Sequence, residues 1–377
     1  MITKLYVDNF RTLTNFELVL KPITLLLGPN AGGKSSVLEV VRALQDLVVG
    51  KRNLPELFPA NTLTRWDKRN VQTFELSERR EEGDFRYRLE VEHNPNQRLV
   101  RIRNEQVTLN GQPLFRSQMG EVHLYRDNFS PGPSFSFDWT QSAFATLAER
   151  PDNQHAIGFR SRLANMLVAK LNPARMAAEA DSEDSRLNLD LSNFAAWYRW
   201  LSQEHQGLAF ELTRRLRDDL EGFRSFALRG EERKTLYVEF GEENGPRNWY
   251  RFDELSDGQR VLIALHVLKE VAVRLGWSLW LDEPENFLGL REIQPWLRDL
   301  HDSISDAAIG QAVLISHHPV LINLLAKSNG FWLDRKPEQP TRIKPIEVAD
   351  LEVAGAGGSE GGSLTVADLV ERGWLYE

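Results

Sequence analysis

The chain has 377 residues, a formal net charge of −8, 41% apolar and 27% charged residues, and no cysteine. This composition is that of a soluble globular protein, and it rules out disulfides and thiolate metal or redox sites. It also excludes a uniformly basic nucleic-acid binder, although a local basic face stays possible. No apolar run is long enough to span a membrane, and the first residues read as a strand without a secretory signal's apolar core. A cytoplasmic chain with no membrane partner is therefore expected.

In chain order, residues 3–27 read as three strands. Leu5, Val7 and Phe10 are the apolar positions of the first. Phe16, Leu18 and Leu20 recur at period two in the second, with Glu17 and Val19 on the other face. Between these two strands lies Asn9-Phe10-Arg11. The third, Ile23 to Leu27, is apolar throughout and runs into Gly28-Pro29-Asn30-Ala31-Gly32-Gly33-Lys34-Ser35. From Ser36 to Leu44 the apolar residues fall at helical spacing. A G-x-x-x-x-G-K-[ST] stretch between strand and helix is the phosphate-cradling loop. Its glycines let the backbone wrap around phosphate oxygens, and the helix start adds unpaired N–H groups and a positive dipole end. Gly28, Asn30, Gly32, Gly33, Lys34, Ser35 and Ser36 are thus candidate nucleotide contacts. Lys34 would reach the β- and γ-phosphates, and the Ser35 hydroxyl would sit on Mg²⁺.

Residues 71–117 alternate as a β-meander, with Asn110-Gly111 as a two-residue hairpin turn. Glu121 to Tyr125 is a further strand, and Asp127 to Pro133 reads as a loop. Residues 141–223 turn helical, with amphipathic stretches at Arg162–Leu171 and Leu208–Phe223. Strands return over 224–252, where Asn244-Gly245 is a second hairpin signal. A nearly all-apolar helix from Val261 to Val273 precedes three buried strands, Leu279–Leu281, Val313–Ile315 and Gly330–Leu333. A Gly-rich linker at 354–363 leads to a capping box at Thr365–Asp368 and a short last helix. The segments expected are 1–140, a first α/β lobe with the phosphate loop and meander; 141–223, a helical insertion; 224–350, a second lobe; and 351–377, the linker and final helix.

Asp282-Glu283-Pro284 follows a buried strand, so both carboxylates emerge at a strand's C-terminal end, where ligands bind in open α/β sheets. Asp282 would hold Mg²⁺, and Glu283 would orient and deprotonate an attacking water. Leu255-Ser256-Asp257-Gly258-Gln259 lies at a helix start, 26 residues before Asp282 if counted from Ser256. Taken alone it is an ordinary N-cap turn.

With the phosphate loop and the carboxylates, that turn resembles the signature motif of ABC-type ATPases. The start Asn9-Phe10-Arg11, the phrase Asp282-Glu283-Pro284-Glu285-Asn286 and the ending Ser316-His317-His318-Pro319 resemble the SMC/RecF/OLD branch of that family. The resemblance runs from about residue 3 to about residue 335. It implies an α/β P-loop NTPase fold, an ABC-type head with an antiparallel β-meander and a helical insertion. It further implies a homodimer that sandwiches two ATP molecules with Mg²⁺. Ser256, Gly258 and Gln259 of one copy would approach the γ-phosphate held by the other. His317 would be the switch histidine at the γ-phosphate, with His318 where the family usually has Ser. Arg11 would lie near the phosphates.

Three departures accompany the match. Phe287-Leu288-Gly289-Leu290 replaces the small residue, Leu, His and Pro usual in OLD-type chains. No clear glutamine follows the strand ending at Tyr125, and Asp127 or Asn128 would take its place near Mg²⁺. About 45 residues follow Leu333, too few for the metal-dependent nuclease domain of OLD proteins.

Three roles follow: an ATPase that regulates a separate effector, a nuclease or toxin, in phage defence or genome maintenance; a RecF-like clamp that binds DNA itself; and a transporter ATPase subunit. Against the last stand the Asn9-Phe10-Arg11 start and the Asp-Glu-Pro-Glu-Asn phrase. For DNA, Arg86, Arg88, Arg98, Arg101 and Arg103 cluster on the meander, with Glu90, Glu92 and Glu105 among them. Arg214, Arg215 and Arg217 are expected to form ordinary surface pairs.

Overall fold

The computed structural model describes residues 1–94, 99–242, 245–306 and 310–346. They fall into two compact units, 1–166 with 325–346, and 167–324. Asn244, Arg98 and everything expected of 351–377 lie outside the described residues.

The first unit begins with β1 (Ile2–Asp8), β2 (Phe16–Val19) and β3 (Ile23–Leu27), then α1 (Lys34–Val48) and the single turn α2 (Leu54–Leu57). Next come β4 (Val71–Arg79), β5 (Asp84–Asn94), β6 (Leu99–Leu109), β7 (Gln112–Gln118), β8 (Glu121–Tyr125), β9 (Pro131–Ser136) and α3 (Gln154–Ala164). The expected meander is the middle of an eight-stranded antiparallel sheet in the order β2-β1-β4-β5-β6-β7-β8-β9. Period-two patterning drives it, since one face of β5 buries Phe85, Tyr87, Leu89 and Val91. The β6–β7 turn has φ of 51° at Asn110 and 79° at Gly111, as a tight primed turn requires. The loop expected over 127–133 ends earlier, because β9 starts at Pro131. This is the sheet's edge strand, where prolines cost no ladder bond.

Glu105 is buried in this sheet. Its Oε1 accepts from Ser142 Oγ at 2.6 Å and Tyr87 OH at 2.9 Å. Burial pushes its carboxyl up to about 7, against the lowering effect of these two donors.

The second unit opens with β10 (Leu167–Lys170) and the short β11 (Glu179–Ala180). The sequence leads one to expect helix over 162–171, but α3 stops at Ala164 and residues 167–170 are strand. Leu167-Val168-Ala169 is buried against β15 in a parallel ladder, and that pairing outweighs the local helical pattern. The unit continues with α4 (Phe194–Glu204), α5 (Gln206–Asp219), β12 (Phe223–Arg229), β13 (Lys234–Gly241), β14 (Arg247–Arg251), α6 (Asp257–Leu275), β15 (Leu279–Asp282), α7 (Leu290–Ser305), β16 (Ala312–Ile315) and α8 (Pro319–Asn329). β10, β15 and β16 are parallel, with Lys170, Asp282 and Ile315 level at their C-terminal ends. Their apolar residues are buried throughout, as a parallel sheet covered on both faces demands. β11 to β14 form a separate antiparallel sheet.

The apolar helix expected over 261–273 is α6, buried without a break from Val261 to Ala272. Within it, Lys269 pairs with Asp299 of α7, and Glu270 lies 3.2 Å from Arg215 of α5. Of the three arginines expected to form surface pairs, Arg214 does so with Glu211, whereas Arg217 donates to the Arg224 carbonyl and Arg215 reaches the buried Glu270.

The chain then returns to the first unit. β17 (Gly330–Asp334) runs parallel to β3, and β18 (Arg342–Pro345), which the sequence did not announce, pairs antiparallel with β17.

Candidate functional site

In the first unit, β3 delivers the chain into the loop 28–33, and α1 begins at Lys34. Gly28, Ala31 and Gly33 have φ of 142°, 65° and 102°. A Cβ at Gly28 would stand 2.0 Å from the Leu333 carbonyl oxygen, and one at Gly33 would stand 2.5 Å from Thr341 Oγ1. Both glycines are therefore fixed by conformation and by space. No side chain caps α1. The first turn of a helix carries N–H groups without intrahelical acceptors, together with the positive end of the dipole. Lys34 Nζ, buried, donates to the Gly28 carbonyl at 2.8 Å and the Pro29 carbonyl at 3.0 Å. Asn30 and Ser35 are exposed at the loop's mouth, and Ser36 is half-buried.

Two neighbours of this loop were not foreseen. Arg335 Nε donates to the Ala31 carbonyl at 3.2 Å. Thr341 Oγ1 donates to Thr12 Oγ1 at 2.9 Å, and the Thr341 N–H donates to the Thr12 carbonyl at 2.8 Å. The Arg11–Thr12 turn is thus tied to the segment that crowds Gly33. Asn9 holds the same turn from inside: its Nδ2 donates to the Arg69 and Val71 carbonyls, and its Oδ1 accepts from the Thr64 N–H. Arg11, at φ 51°, places its guanidinium 2.9 Å from Glu39 of α1.

In the second unit, the strand ends gather a set of charged side chains. Asp282 is buried at the end of β15, 3.1 Å from Lys170 Nζ at the end of the neighbouring β10. Glu283 has φ 50°, an uncommon conformation for a side chain with a Cβ, and its N–H donates to the Ile315 carbonyl at 2.8 Å. Its Oε2 accepts from Asn286 Nδ2 at 2.9 Å, and its Oε1 lies 4.0 Å from His317 Nε2. Glu285 closes the group from below. Its Oε1 accepts from Ser316 Oγ at 2.5 Å and from the His317 N–H at 3.3 Å. Burial raises its carboxyl above the usual range, and the Ser316 bond works against that rise. His318 caps its own helix start, accepting at Nδ1 from the Val320 N–H at 3.3 Å.

The signature turn opens the nineteen-residue α6. Ser256 Oγ accepts from the Gln259 N–H at 3.3 Å, and Gln259 Oε1 accepts from the Ser256 N–H at 3.1 Å. This reciprocal capping leaves Ser256 exposed. Gly258 packs under the loop after Glu283, where an added Cβ would sit 3.0 Å from the Phe287 carbonyl oxygen. Phe287 of that loop and Leu290 at the start of α7 are themselves exposed.

Asp127 and Asn128, expected as stand-ins near Mg²⁺, have backbone partners of their own. Both Asp127 carboxylate oxygens accept backbone N–H groups at the start of α3, from Gln154 and His155, and Asn128 Oδ1 accepts from Ser130. They stabilise turns. Lys170 stands beside Asp282, and the sequence held no clue to it, because it depends on which strand neighbours β15. On the meander, Arg88 pairs with Glu75 and Glu90, Arg101 with Glu92, and Arg103 lies 3.9 Å from Glu90.

A family model described as "AAA domain, putative AbiEii toxin, Type IV TA system" matches residues 23–323. The chain belongs to this AAA-domain family, and its fold is that of a P-loop NTPase. Among solved structures it is similar to the SMC head domain from Thermotoga maritima, at 14% identity and a TM-score of 0.48 over 92% of this chain and 99% of that one. No curated protein matches. Among the described residues, no helix is long and apolar enough to cross a membrane.

Proposed function

We propose that this chain hydrolyses ATP as an ABC-type head of the SMC/RecF/OLD branch, dimerises around the nucleotide, and regulates a separate effector, a nuclease or toxin, in bacterial defence or genome maintenance. The observation that carries the hydrolytic reading is the trio at the ends of adjacent parallel strands: buried Asp282, strained Glu283, and His317 with Nε2 4.0 Å from the Glu283 carboxylate. A carboxylate held in an unfavourable backbone conformation beside a histidine is a common arrangement for moving a proton.

In this reading the loop 28–33 and the start of α1 bind the phosphates. Lys34 exchanges its carbonyl partners for β- and γ-phosphate oxygens, and Arg11 and Arg335 stand at the loop's edge. Among the described residues no cluster of three or more His, Cys, Asp or Glu forms. Mg²⁺ characteristically takes one or two protein oxygens and completes its shell with water and substrate phosphates, and the Ser35 hydroxyl and the Asp282 carboxylate are donors of that kind. When bound, Mg²⁺ would neutralise phosphate charge as the γ-phosphate departs. Glu283 orients the attacking water and accepts its proton, while His317 holds the γ-phosphate side. In-line attack needs little more than this positioning and charge.

Dimerisation is supported by the helix start with exposed Ser256 and half-buried Gly258 beside exposed Phe287 and Leu290, an anion-binding end with an apolar rim. The family description's reference to a toxin–antitoxin system supports the defence context. The DNA-clamp reading has less support, because the meander arginines are largely balanced by glutamates.

The test is Glu283→Gln. It should bind ATP, turn it over about a hundredfold more slowly, and accumulate as a dimer. Sedimentation with ATP that shows only monomer at every concentration would remove the sandwich.

A further inference from the structure

Lys170 and Asp282 are register partners at the ends of two parallel strands, and Lys170 Nζ lies 3.1 Å from Asp282 Oδ2. The two ends of this bridge differ. The lysine side chain is 53% exposed and the aspartate side chain 2%. The lysine backbone is pinned, its N–H donating to the Leu189 carbonyl at 2.7 Å. A fixed backbone therefore carries a water-reached ammonium onto a buried carboxylate. That carboxylate is the one this unit would offer to a divalent cation, and a cation arriving there would meet a positive charge already in place.

We propose that Lys170 is a tethered counter-ion that competes with the divalent cation for Asp282. Metal then binds tightly only together with nucleotide, whose phosphates take up the displaced lysine charge. The proposal rests on the reading of Asp282 as a metal donor. Lys170 is on this account a positioning residue: it acts through the occupancy of Asp282. A lysine that served only to stabilise a buried aspartate would impose no such order of binding.

The experiment titrates the full chain with Mn²⁺ by electron paramagnetic resonance, with and without a non-hydrolysable ATP analogue. The variants are Lys170→Met, which keeps the stem and drops the charge, and Lys170→Arg, which keeps the charge. Without nucleotide, Lys170→Met should bind Mn²⁺ about tenfold tighter than the unaltered protein, the scale of a divalent–monovalent repulsion a few ångströms apart in a wet site. With the analogue the ratio should fall below about twofold, and Lys170→Arg should behave like the unaltered protein. Adding Asp282→Asn to Lys170→Met should abolish the gain. Lys170→Gln replaces the Met variant if that one fails to fold. Equal or weaker Mn²⁺ affinity in the nucleotide-free, charge-removed variant overturns the proposal while leaving the metal reading intact. Failure of the unaltered protein to retain Mn²⁺ even with the analogue overturns both.

Discussion

In the unit formed by residues 1–166 and 325–346, the candidate site is mostly backbone: Gly28, Ala31 and Gly33 at positive φ, and carbonyls that receive Lys34 and Arg335. In the unit of residues 167–324 it is mostly side chain: Asp282 on Lys170, Glu283 near His317, Glu285 under Ser316. A backbone site fails first when a Cβ is added where the main chain has no room for one. A side-chain site fails when its functional atoms or charge are removed, as in Glu283→Gln, and tolerates substitutions that keep them. The two halves can therefore be told apart by the kind of substitution each rejects.

The largest effect is expected at Gly28. Valine there puts a Cβ 2.0 Å from a main-chain oxygen at φ 142°, and neither backbone can yield cheaply. Gly28→Val should cost more than about 3 kcal/mol in urea unfolding and abolish binding of a fluorescent ATP analogue. Normal stability and binding would mean that the loop is looser than its conformation implies.

The next effect concerns buried charge, which the units also handle differently. Glu105 in the first is held up to about 7, so the folded state keeps a proton that the unfolded chain releases near 4.5. Its contribution is fully present below 4.5 and is lost as pH rises to 7, by up to about 3 kcal/mol. His266 in the second is pushed down to about 3, chiefly by burial and then by Lys269 and Arg215. Its contribution is present above 6.5 and is lost as pH falls toward 3. Glu105→Gln should therefore flatten the decline between pH 4.5 and 7 in thermal unfolding and leave the acid limb alone. An unchanged profile would mean that Glu105 is ionised in the folded protein.

How much of this could be read from the chain follows the same division. The phosphate loop is a run of consecutive residues whose types dictate backbone shape, so Gly28 to Ser35 located themselves. The place of Asp282 and Glu283 at a strand end was legible because they follow an apolar run. Lys170, Ser316 and Thr341 acquire meaning only from which strand lies beside which, and no local pattern carries that. The same cause misled the reading of 162–171, where helical spacing gave way to a parallel ladder with β15. Asp127 and Asn128 were two alternatives suggested by position after a strand, and the Asp127 carboxylate accepts from the first N–H groups of α3.

Glu285 offers a smaller test of the side-chain half. Glu285→Ala should strand the Ser316 hydroxyl and the His317 N–H without an acceptor, for about 2 kcal/mol, and lower kcat more than it raises KM. Glu285→Gln keeps an oxygen in place and should recover most of both. If Gln behaves like Ala, the negative charge matters and the acceptor alone does not.

The smallest expected effect separates folding from function at the start of α6. Ser256 caps a helix whose next twelve buried positions anchor it from Val261 to Ala272, so loss of the cap should not unfold it. Ser256→Ala should cost about 1 kcal/mol, the usual value of such a cap. Asn caps about as well as Ser, so Ser256→Asn should restore that stability. It does not restore the hydroxyl that would reach the other copy's γ-phosphate. If the sandwich reading holds, both variants should show weakened ATP-driven dimerisation in sedimentation, although only one of them is less stable. Recovery of dimerisation by Asn would make Ser256 a helix cap and nothing more, and would move the contact across the dimer to the Gly258 N–H or to the exposed Phe287 loop beside it.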